Sequence, residues 1–214
     1  SQAPQAAVTL GSETVTYTAS GDNFSALTAG GGSGTGLYIY FVTSAGAGCS
    51  VGLSTGVLTY TSAGTCGVTA TRAGDVDYVA TSSTETTFTV NQLTQAAVTL
   101  GSQTVSYTAL GNNFATLLAG GGSAGAFTYV VTTPGAGCAV NLTTGVLSYT
   151  SAGTCGVTAT NAADVNYVAE SSTETTFTVN QATQAAVTLA SQTVTYTASG
   201  NNFAPLTAGG GSCP

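Results

Sequence analysis

The stretch Thr55–Thr71 reads TGVLTYTSAGTCGVTAT, and Thr144–Thr160 repeats it as TGVLSYTSAGTCGVTAT. Apolar side chains recur at every second position at Cys66, Val68 and Ala70, which is the period of a strand with one buried face. A Ser-Ala-Gly segment interrupts the apolar pattern just before this run, as turns do. The stretch therefore predicts short antiparallel strands separated by a turn.

The motifs on both sides of this stretch recur in the same order. QAAVTL begins at Gln5, Gln95 and Gln184, and each copy continues with TVTYTA or TVSYTA and then with AGGGS. The spacing gives a period of about 90 residues, which exceeds one solenoid turn and matches an autonomous β-sandwich domain. We therefore read the chain as tandem copies of one domain.

Strand signals dominate each copy. Gly-rich and Ser-rich segments divide the apolar runs into about seven strands, and no segment shows the apolar stripe of an amphipathic helix. We predict an all-β protein of tandem immunoglobulin-like β-sandwich domains, with one internal disulfide per complete repeat. The predicted domains are residues 1–92 (repeat 1), residues 93–181 (repeat 2) and residues 182–214 (an incomplete third repeat with the first two strands).

The connection between the complete repeats contains neither Gly nor Pro from Phe88 to Val98. Flexible linkers are rich in Gly and Ser, so this segment is typical of a stiffer connection. We expect neighbouring repeats to be held in a fixed, extended relation.

The charge balance excludes several classes of partner. Eight carboxylates oppose the single basic residue Arg72, and the formal net charge is -7. No basic patch is available to neutralise nucleic-acid phosphates or anionic lipids. No apolar run approaches the roughly 20 residues that cross a bilayer. We expect no nucleic-acid partner and no membrane insertion.

Four motifs together carry a resemblance to a known family. They are TVTYTA, the GAGC segments ending at Cys49 and Cys138, SAGTCGVTAT, and the following DVDYVA or DVNYVA. This combination resembles the bacterial immunoglobulin-like repeats of large surface proteins and adhesins, over both full copies and the fragment. The resemblance implies an extracellular or cell-surface location and a spacer role, far more strongly than it implies any ligand.

The cysteines occur as one equally spaced pair per complete repeat, Cys49 with Cys66 and Cys138 with Cys155. In an extracellular chain this pattern predicts one bridge within each repeat, and buried free thiols are the alternative. A structural zinc site needs four Cys or His ligands, and a repeat without histidine offers only two sulfurs. Cys213 is a fifth, odd cysteine, which suggests an intermolecular contact.

Asp75 and Asp77 are the strongest candidates for carboxylate chemistry. Their spacing suits a weak calcium site, a catalytic carboxylate pair or an Asx-type turn. The second copy has Asp164 and Asn166 at these positions. A general acid/base pair would not survive that substitution, so we favour the turn. The weak calcium site remains the alternative, and no other cofactor is predicted.

Other candidate chemistry has simpler interpretations. AGGGS lacks the helix and Lys of a phosphate cradle and is predicted to be a loop. Many hydroxyls are present, but the chain has neither His nor Lys to activate one, so we predict no enzyme. Glu85 and Glu174 are expected to be solvated near strand starts. An aromatic strip could stack on sugar rings, although core packing explains it more simply; its members are Tyr38, Tyr40, Phe41, Phe127 and Tyr129.

The leading functional hypothesis is a structural component of an extracellular fibre or an adhesin stalk, whose partners are copies of itself or further repeats. The alternative is an adhesion module that binds a glycan, calcium or a host protein through loops such as 30–36 or 75–78. Filaments or stalks would support the structural role, and saturable binding by one isolated repeat would support the adhesion module.

The third copy lacks most of a core. Covering one large apolar side chain is worth about 1.5–3 kcal/mol, and a lone hairpin is only marginally stable. We expect further protein to complete this copy, either more of a longer chain or a strand from a neighbouring subunit, which would build a filament. The apolar residues concerned are Val187, Leu189, Val194, Tyr196, Phe203 and Leu206.

Overall fold

The computed structural model describes residues 1–19, 23–108, 113–200 and 202–211, and the described ranges contain strands and turns but no helix. Twenty short strands fall into two groups with the same order, followed by a last pair. The first group comprises β1 (Val8–Leu10), β2 (Thr14–Thr16), β3 (Ala29–Gly31), β4 (Tyr38–Ser44), β5 (Ser50–Val51), β6 (Leu58–Thr59), β7 (Gly64–Arg72), β8 (Thr81–Ser82) and β9 (Thr86–Asn91).

The second group repeats this arrangement, and the prediction of an all-β protein of tandem β-sandwich repeats is confirmed. Its strands are β10 (Thr99–Leu100), β11 (Thr104–Ser106), β12 (Ala119–Gly120), β13 (Phe127–Thr133), β14 (Ala139–Val140), β15 (Leu147–Ser148), β16 (Gly153–Asn161), β17 (Glu170–Ser171) and β18 (Thr175–Asn180).

The larger sheet of repeat 1 has the strand order β2-β9-β7-β4, and β8 pairs with the end of β7. The β2–β9 pair is parallel, whereas β7 is antiparallel to each of its neighbours. The period-two pattern of β7 places Cys66, Val68 and Ala70 on the inner face, where all three are fully buried. These small side chains leave room for aromatic rings. Phe88 of β9 lies directly opposite Cys66.

The second layer consists of the β1–β3 pair, the β5–β6 hairpin and the segment between β2 and β3. This segment follows the hairpin closely, because the Phe24 N–H donates to the Leu58 carbonyl at 3.1 Å. Tyr40 then ties the two layers together from β4, since its hydroxyl donates to the Leu27 carbonyl at 3.0 Å. One contiguous core results, centred on Phe24, Leu58 and Phe88.

A disulfide joins the two layers of each complete repeat. Cys49 lies just before β5 and bonds to Cys66 of β7, with the Cα atoms 6.1 Å apart. Cys138 and Cys155 form the equivalent bridge, with the Cα atoms 6.2 Å apart. The prediction of one internal disulfide per complete repeat is confirmed.

Two details of the sequence prediction need correction. The described residues of each repeat form nine strands, whereas the sequence predicts about seven. Two of these, β3 and β8, carry no alternating apolar signal because they consist of Ala-Gly-Gly and Thr-Ser. AGGGS is therefore not only a loop, since its first residues pair with β1 in the register Val8↔Gly31. Gly31 has a φ of 79°, which favours glycine at the end of this strand.

The aromatic strip is divided between the core and the surface. Tyr40 and Tyr129 are buried, and Tyr38 and Phe127 pack at the edges of the two cores, as core packing predicts. Phe41 is exposed on the outer face of the sheet, because it is one position out of phase with Tyr40.

The third copy forms one pair, β19 (Thr188–Leu189) with β20 (Ala208–Gly209). These strands occupy the positions of β1 and β3, whereas the sequence predicts the first two strands of a repeat, which correspond to β1 and β2. Val194 lies in the position of β2, whose partner in a complete repeat is β9, and it is not in a strand. The apolar side chains named for this copy are all exposed.

We predict that each disulfide stabilises its own repeat. Cys138→Ala should lower the free energy of unfolding of repeat 2 by about 3 kcal/mol, because the open loop regains entropy in the unfolded chain. The midpoint should fall by on the order of 10 °C in calorimetry. Cys49→Ala is the matched variant for repeat 1. Calorimetric traces that neither substitution shifts would contradict the stabilising role.

Candidate functional site at the repeat junction

The loop after the central strand begins with an Asx turn in both repeats. Asp75 Oδ1 accepts hydrogen bonds from the backbone N–H groups of Asp77 and Tyr78, each at 2.9 Å. Its Oδ2 accepts from the backbone N–H of Thr35 at 2.6 Å and from the Thr35 hydroxyl at 3.1 Å. The turn favoured by the sequence is therefore the observed geometry.

The same four donors influence the pKa of Asp75. The backbone N–H of Thr35 has the largest effect, and together the donors hold the pKa of the Asp75 carboxyl below its usual value of 3.8. The negative form is favoured because hydrogen bonds to a carboxylate stabilise its charge. In repeat 2, Asp164 Oδ1 accepts from the N–H groups of Asn166 and Tyr167, each at 2.8 Å.

The donors around Asp75 also bear on the predicted weak calcium site. Both Asp75 oxygens already accept hydrogen bonds, and a cation would have to displace those donors. Asp77 is exposed beside them. Within the described part of the chain, no group of three or more acidic, cysteine or histidine side chains is placed to hold a metal.

Glutamines in the linker were missed by the sequence reasoning. Gln95 is 5% exposed, and its side-chain amide donates to the Ala162 carbonyl at 2.8 Å. Its Oε1 accepts from the Ser123 N–H at 2.9 Å. Gln92 donates to the Asp164 carbonyl at 2.6 Å. The available signal was a recurring Gln-x-x-Gln, found at Gln2 and Gln5, Gln92 and Gln95, and Gln181 and Gln184.

The linker backbone is bound to the same loop. Leu93 N–H donates to the Asn166 carbonyl at 2.8 Å, and Val168 N–H donates to the Leu93 carbonyl at 3.0 Å. Ala3 makes the equivalent pair of bonds in repeat 1, with the Asp77 carbonyl and the Val79 N–H. In each complete repeat, the segment through which the chain enters the repeat is thus bound to the loop with the Asx turn. We call this loop the Asp loop; it comprises residues 75–78 in repeat 1 and residues 164–167 in repeat 2.

The Asp loop of repeat 2 also contacts repeat 1 directly. Asn166 Oδ1 accepts a hydrogen bond from the Ala63 N–H at 2.9 Å. The rings of Tyr17 and Tyr167 meet edge to face, with centroids 5.9 Å apart and an interplanar angle of 81°. Edge-to-face pairs of this kind contribute about 0.5–1.5 kcal/mol beyond area burial. The loop 164–167 therefore joins the linker, its own repeat and the preceding repeat.

Tyr17 is positioned for this contact by its own repeat. It directly follows β2, and its backbone N–H donates to the Asn91 carbonyl at the end of β9 at 2.8 Å. Its ring also lies 6.5 Å from that of Tyr60. Strand β9, which leads into the linker, is consequently bound to Tyr17, whose ring contacts repeat 2.

Two other predicted residues, Glu85 and Glu174, lie next to strands of the larger sheets. Glu85 and Glu174 are exposed immediately before β9 and β18, and Glu85 accepts a hydrogen bond from the Thr43 hydroxyl. Cys213 lies outside the described residues. The single cation is used within repeat 1, because Arg72 lies 4.6 Å from the Tyr38 ring centroid and donates to the Gly34 carbonyl.

None of the described residues belongs to a helix that could span a membrane.

Comparisons with known proteins give structural similarity only. The sequence matches no protein-family model and no curated protein. A mouse cadherin-23 EC22-24 structure covers 83% of this chain at 15% identity and a TM-score of 0.36. Human protocadherin-24 EC1-2 covers 84% at 12% identity, with a TM-score of 0.38 and 99% of its own length. Human CDH23 EC21-23 covers 81% at 16% identity, with a TM-score of 0.40.

The chain spans 65% of the mouse cadherin-23 fragment and 63% of the human CDH23 fragment. With TM-scores of 0.40 or less, the likeness carries no argument about function. The fold assignment rests on the strands, cores and disulfides of the chain itself.

We predict a stability loss in acid that depends on Asp75. Because the folded pKa of Asp75 is lowered, its contribution is present above the unfolded pKa of about 3.9 and is lost as the pH falls through the folded pKa. Asp75→Asn should lower the melting temperature of repeat 1 at about pH 7, and this difference from wild type should shrink at about pH 2. Asp77→Asn is the control, since it removes a charge from the same loop and leaves the donors to Asp75 in place. A difference independent of pH would refute the assignment.

Proposed function

We propose that this protein is a structural component of an extracellular fibre or surface adhesin stalk, built as a rod of disulfide-stabilised immunoglobulin-like repeats. The observation that carries the proposal is the junction, where the loop 164–167 contacts both the linker and repeat 1. A chain of domains behaves as a stiff rod only if neighbouring domains keep their relative orientation. The hydrogen bonds and ring contact of the junction supply that constraint.

The disulfides support a location outside the cytosol. Structural disulfides form and persist in oxidising compartments, and each complete repeat contains one. The resemblance of the motifs to bacterial surface repeats supports the same location. We propose residues 1–92 and 93–181 as the two complete repeats.

The third copy, residues 182–214, is proposed to be completed by further protein. Its strands β19 and β20 pair with each other, while Val187 and Leu189 are exposed where their counterparts Val8 and Leu10 face a core. Strand complementation by another subunit would cover these side chains and extend a filament. Cys213 is a further candidate for intermolecular contact.

One observation favours the second candidate, an adhesion module that binds a glycan, calcium or a host protein. Leu37 and Val76 are large apolar side chains that are strongly exposed in the loops of repeat 1. Exposed apolar groups of this kind occur at interaction sites. A glycan array, a calcium titration and a host-protein binding assay test this role, since saturable binding would favour it over a purely structural one.

The rod itself is tested by small-angle X-ray scattering of the full chain. The double substitution Asn166→Ala and Tyr167→Ala should broaden the distance distribution and reduce the radius of gyration, because it removes the hydrogen bond to Ala63 and the ring contact with Tyr17. The matched control is Asp77→Ala with Tyr78→Ala, which alters the equivalent loop of repeat 1, where the described residues show no hydrogen bond or ring contact with another repeat. A wild-type chain as flexible as the junction variant would contradict the proposal.

A further inference from the structure

We propose that each complete repeat contains a mechanical clamp, a parallel pair of strands that resists tension applied along the chain. In repeat 2 the clamp consists of β11 (Thr104–Ser106) and β18 (Thr175–Asn180), and in repeat 1 it consists of β2 and β9. The inference rests on the proposed role as a stalk or fibre, in which tension enters and leaves a repeat through its neighbours. It assigns the resistance to particular hydrogen bonds within each repeat.

The chain enters and leaves repeat 2 through segments that are bound to each other. It enters from the linker through β10 and β11, and it leaves at the end of β18. The last two strands are parallel, with paired positions at Thr104↔Thr178, Val105↔Val179 and Ser106↔Asn180. Tension pulls β11 back towards its first residue and pulls β18 forward past its last residue. The two strands must therefore slide past each other, and the bonds between them resist this sliding together instead of opening one at a time.

The sheet favours separation at this pair. In the described part of repeat 2, β11 pairs with β18 alone, whereas β18 also pairs with β16 at five positions. The larger ladder keeps β18 on the rest of the repeat while β11 is pulled away. The force that opens the repeat is consequently set by the bonds between β11 and β18.

Hydrogen bonds extend the clamp beyond the paired residues. The Thr178 N–H donates to the Gln103 carbonyl at 3.0 Å, and the Tyr107 N–H donates to the Asn180 carbonyl at 2.8 Å. The centre of the clamp is closed to water, because Val179 is buried. Water cannot readily replace a shielded bond while it is being stretched, and such bonds are stronger at low local dielectric.

A side-chain hydrogen bond joins the entering and leaving strands a second time. The Thr175 hydroxyl at the start of β18 donates to the Leu100 carbonyl at the end of β10, at 3.0 Å. Repeat 1 has the same set of bonds. They run from the Thr86 hydroxyl to the Leu10 carbonyl, from the Thr89 N–H to the Glu13 carbonyl and from the Tyr17 N–H to the Asn91 carbonyl.

The disulfide lies outside the clamp and has a different mechanical effect. Cys138 precedes β14 and Cys155 lies in β16, so tension reaches the closed loop only after β11 and β18 have separated. In the chain-entropy model the bridge acts on the unfolded chain, so its removal should change the rupture force little. It should change the length released. Opening the bridge adds about 50 Å, because 17 residue steps of roughly 3.3–3.6 Å replace a Cα distance of 6.2 Å.

The test is single-molecule force spectroscopy of the full chain, held by its two ends in a Cys213→Ser background. Two rupture events of similar force are expected, one for each complete repeat, because both clamps have the same register. Cys49→Ala with Cys66→Ala marks the event of repeat 1 by an extra released length of about 50 Å. The rupture force of repeat 1 should remain nearly unchanged in this variant.

A proline substitution tests the clamp of repeat 2 directly. Tyr107→Pro removes the N–H that donates to Asn180, and Tyr107→Ala is the matched control that loses the same ring but keeps the N–H. The rupture force of repeat 2 should be lower with proline than with alanine by about a quarter or more, because one of the bonds that share the tension is gone. Repeat 1, identified by its released length, is the internal reference.

A milder pair of variants applies if the proline prevents repeat 2 from folding. Thr175→Val removes the hydroxyl bond to Leu100 and should lower the rupture force. Thr176→Val is the control, because it makes the same change at the next position, where the side chain is exposed, and should leave the force unchanged.

Three results would overturn the clamp. They are equal rupture forces for Tyr107→Pro and Tyr107→Ala, equal forces for the two threonine variants where the proline variant does not fold, and a loss of force without the disulfide as large as the loss caused by proline. The rod proposal is judged separately by the scattering of the junction variants, because these rupture forces arise within one repeat and do not depend on how the repeats are oriented.

Discussion

The hydrogen-bonded pairing of the central strand with both of its neighbours is the constraint on which each repeat depends. In repeat 1 this strand is β7, which lies between β9 and β4 and brings Cys66 opposite Phe88. Phe24 from the second layer then packs edge to face on Phe88, with the centroids 5.4 Å apart. The small inward side chains of β7 make this aromatic packing sterically feasible, and the disulfide fixes the hairpin of the second layer to the same strand.

Because the chain has few charged residues, uncharged groups make most of its polar interactions. Hydroxyl pairs bridge neighbouring strands, as between Thr71 and Ser82, whose oxygens are 2.7 Å apart. Buried amides act in the same way, since Gln95 satisfies backbone groups of two different segments. Neutral hydrogen bonds do not depend on ionic strength as surface ion pairs do. The stability of a structure held in this way should depend little on salt concentration.

Interactions between uncharged groups also join one repeat to the next at the junction. Backbone hydrogen bonds fix the linker to the loop 164–167, and that loop then reaches Ala63 and Tyr17 of the preceding repeat. Each repeat consequently has two different ends, an Asp loop where the chain enters and a tyrosine with Ser-Ala-Gly where it leaves. A unit with unlike ends has a direction. Contacts between unlike ends join units head-to-tail, whereas a symmetric pair uses the same surface of both units.

The sequence by itself determined the period, the all-β class, one disulfide in each complete repeat and the Asx turn at Asp75. These features are local or repeated, so alternating side chains, equal cysteine spacing and turn residues are sufficient to predict them. It did not reveal that Ala-Gly-Gly forms β3, because that strand exists only through its pairing with β1.

Only the tertiary structure decided that Phe41 is exposed, that Gln95 anchors the linker and that Asn166 reaches Ala63. The last contact joins residues 103 positions apart. Local periodicity tells which face of one strand is buried, whereas a contact between repeats depends on how two finished domains are oriented. That orientation arises from the linker hydrogen bonds together with the contacts of Asn166 and Tyr167, which join residues far apart in the sequence.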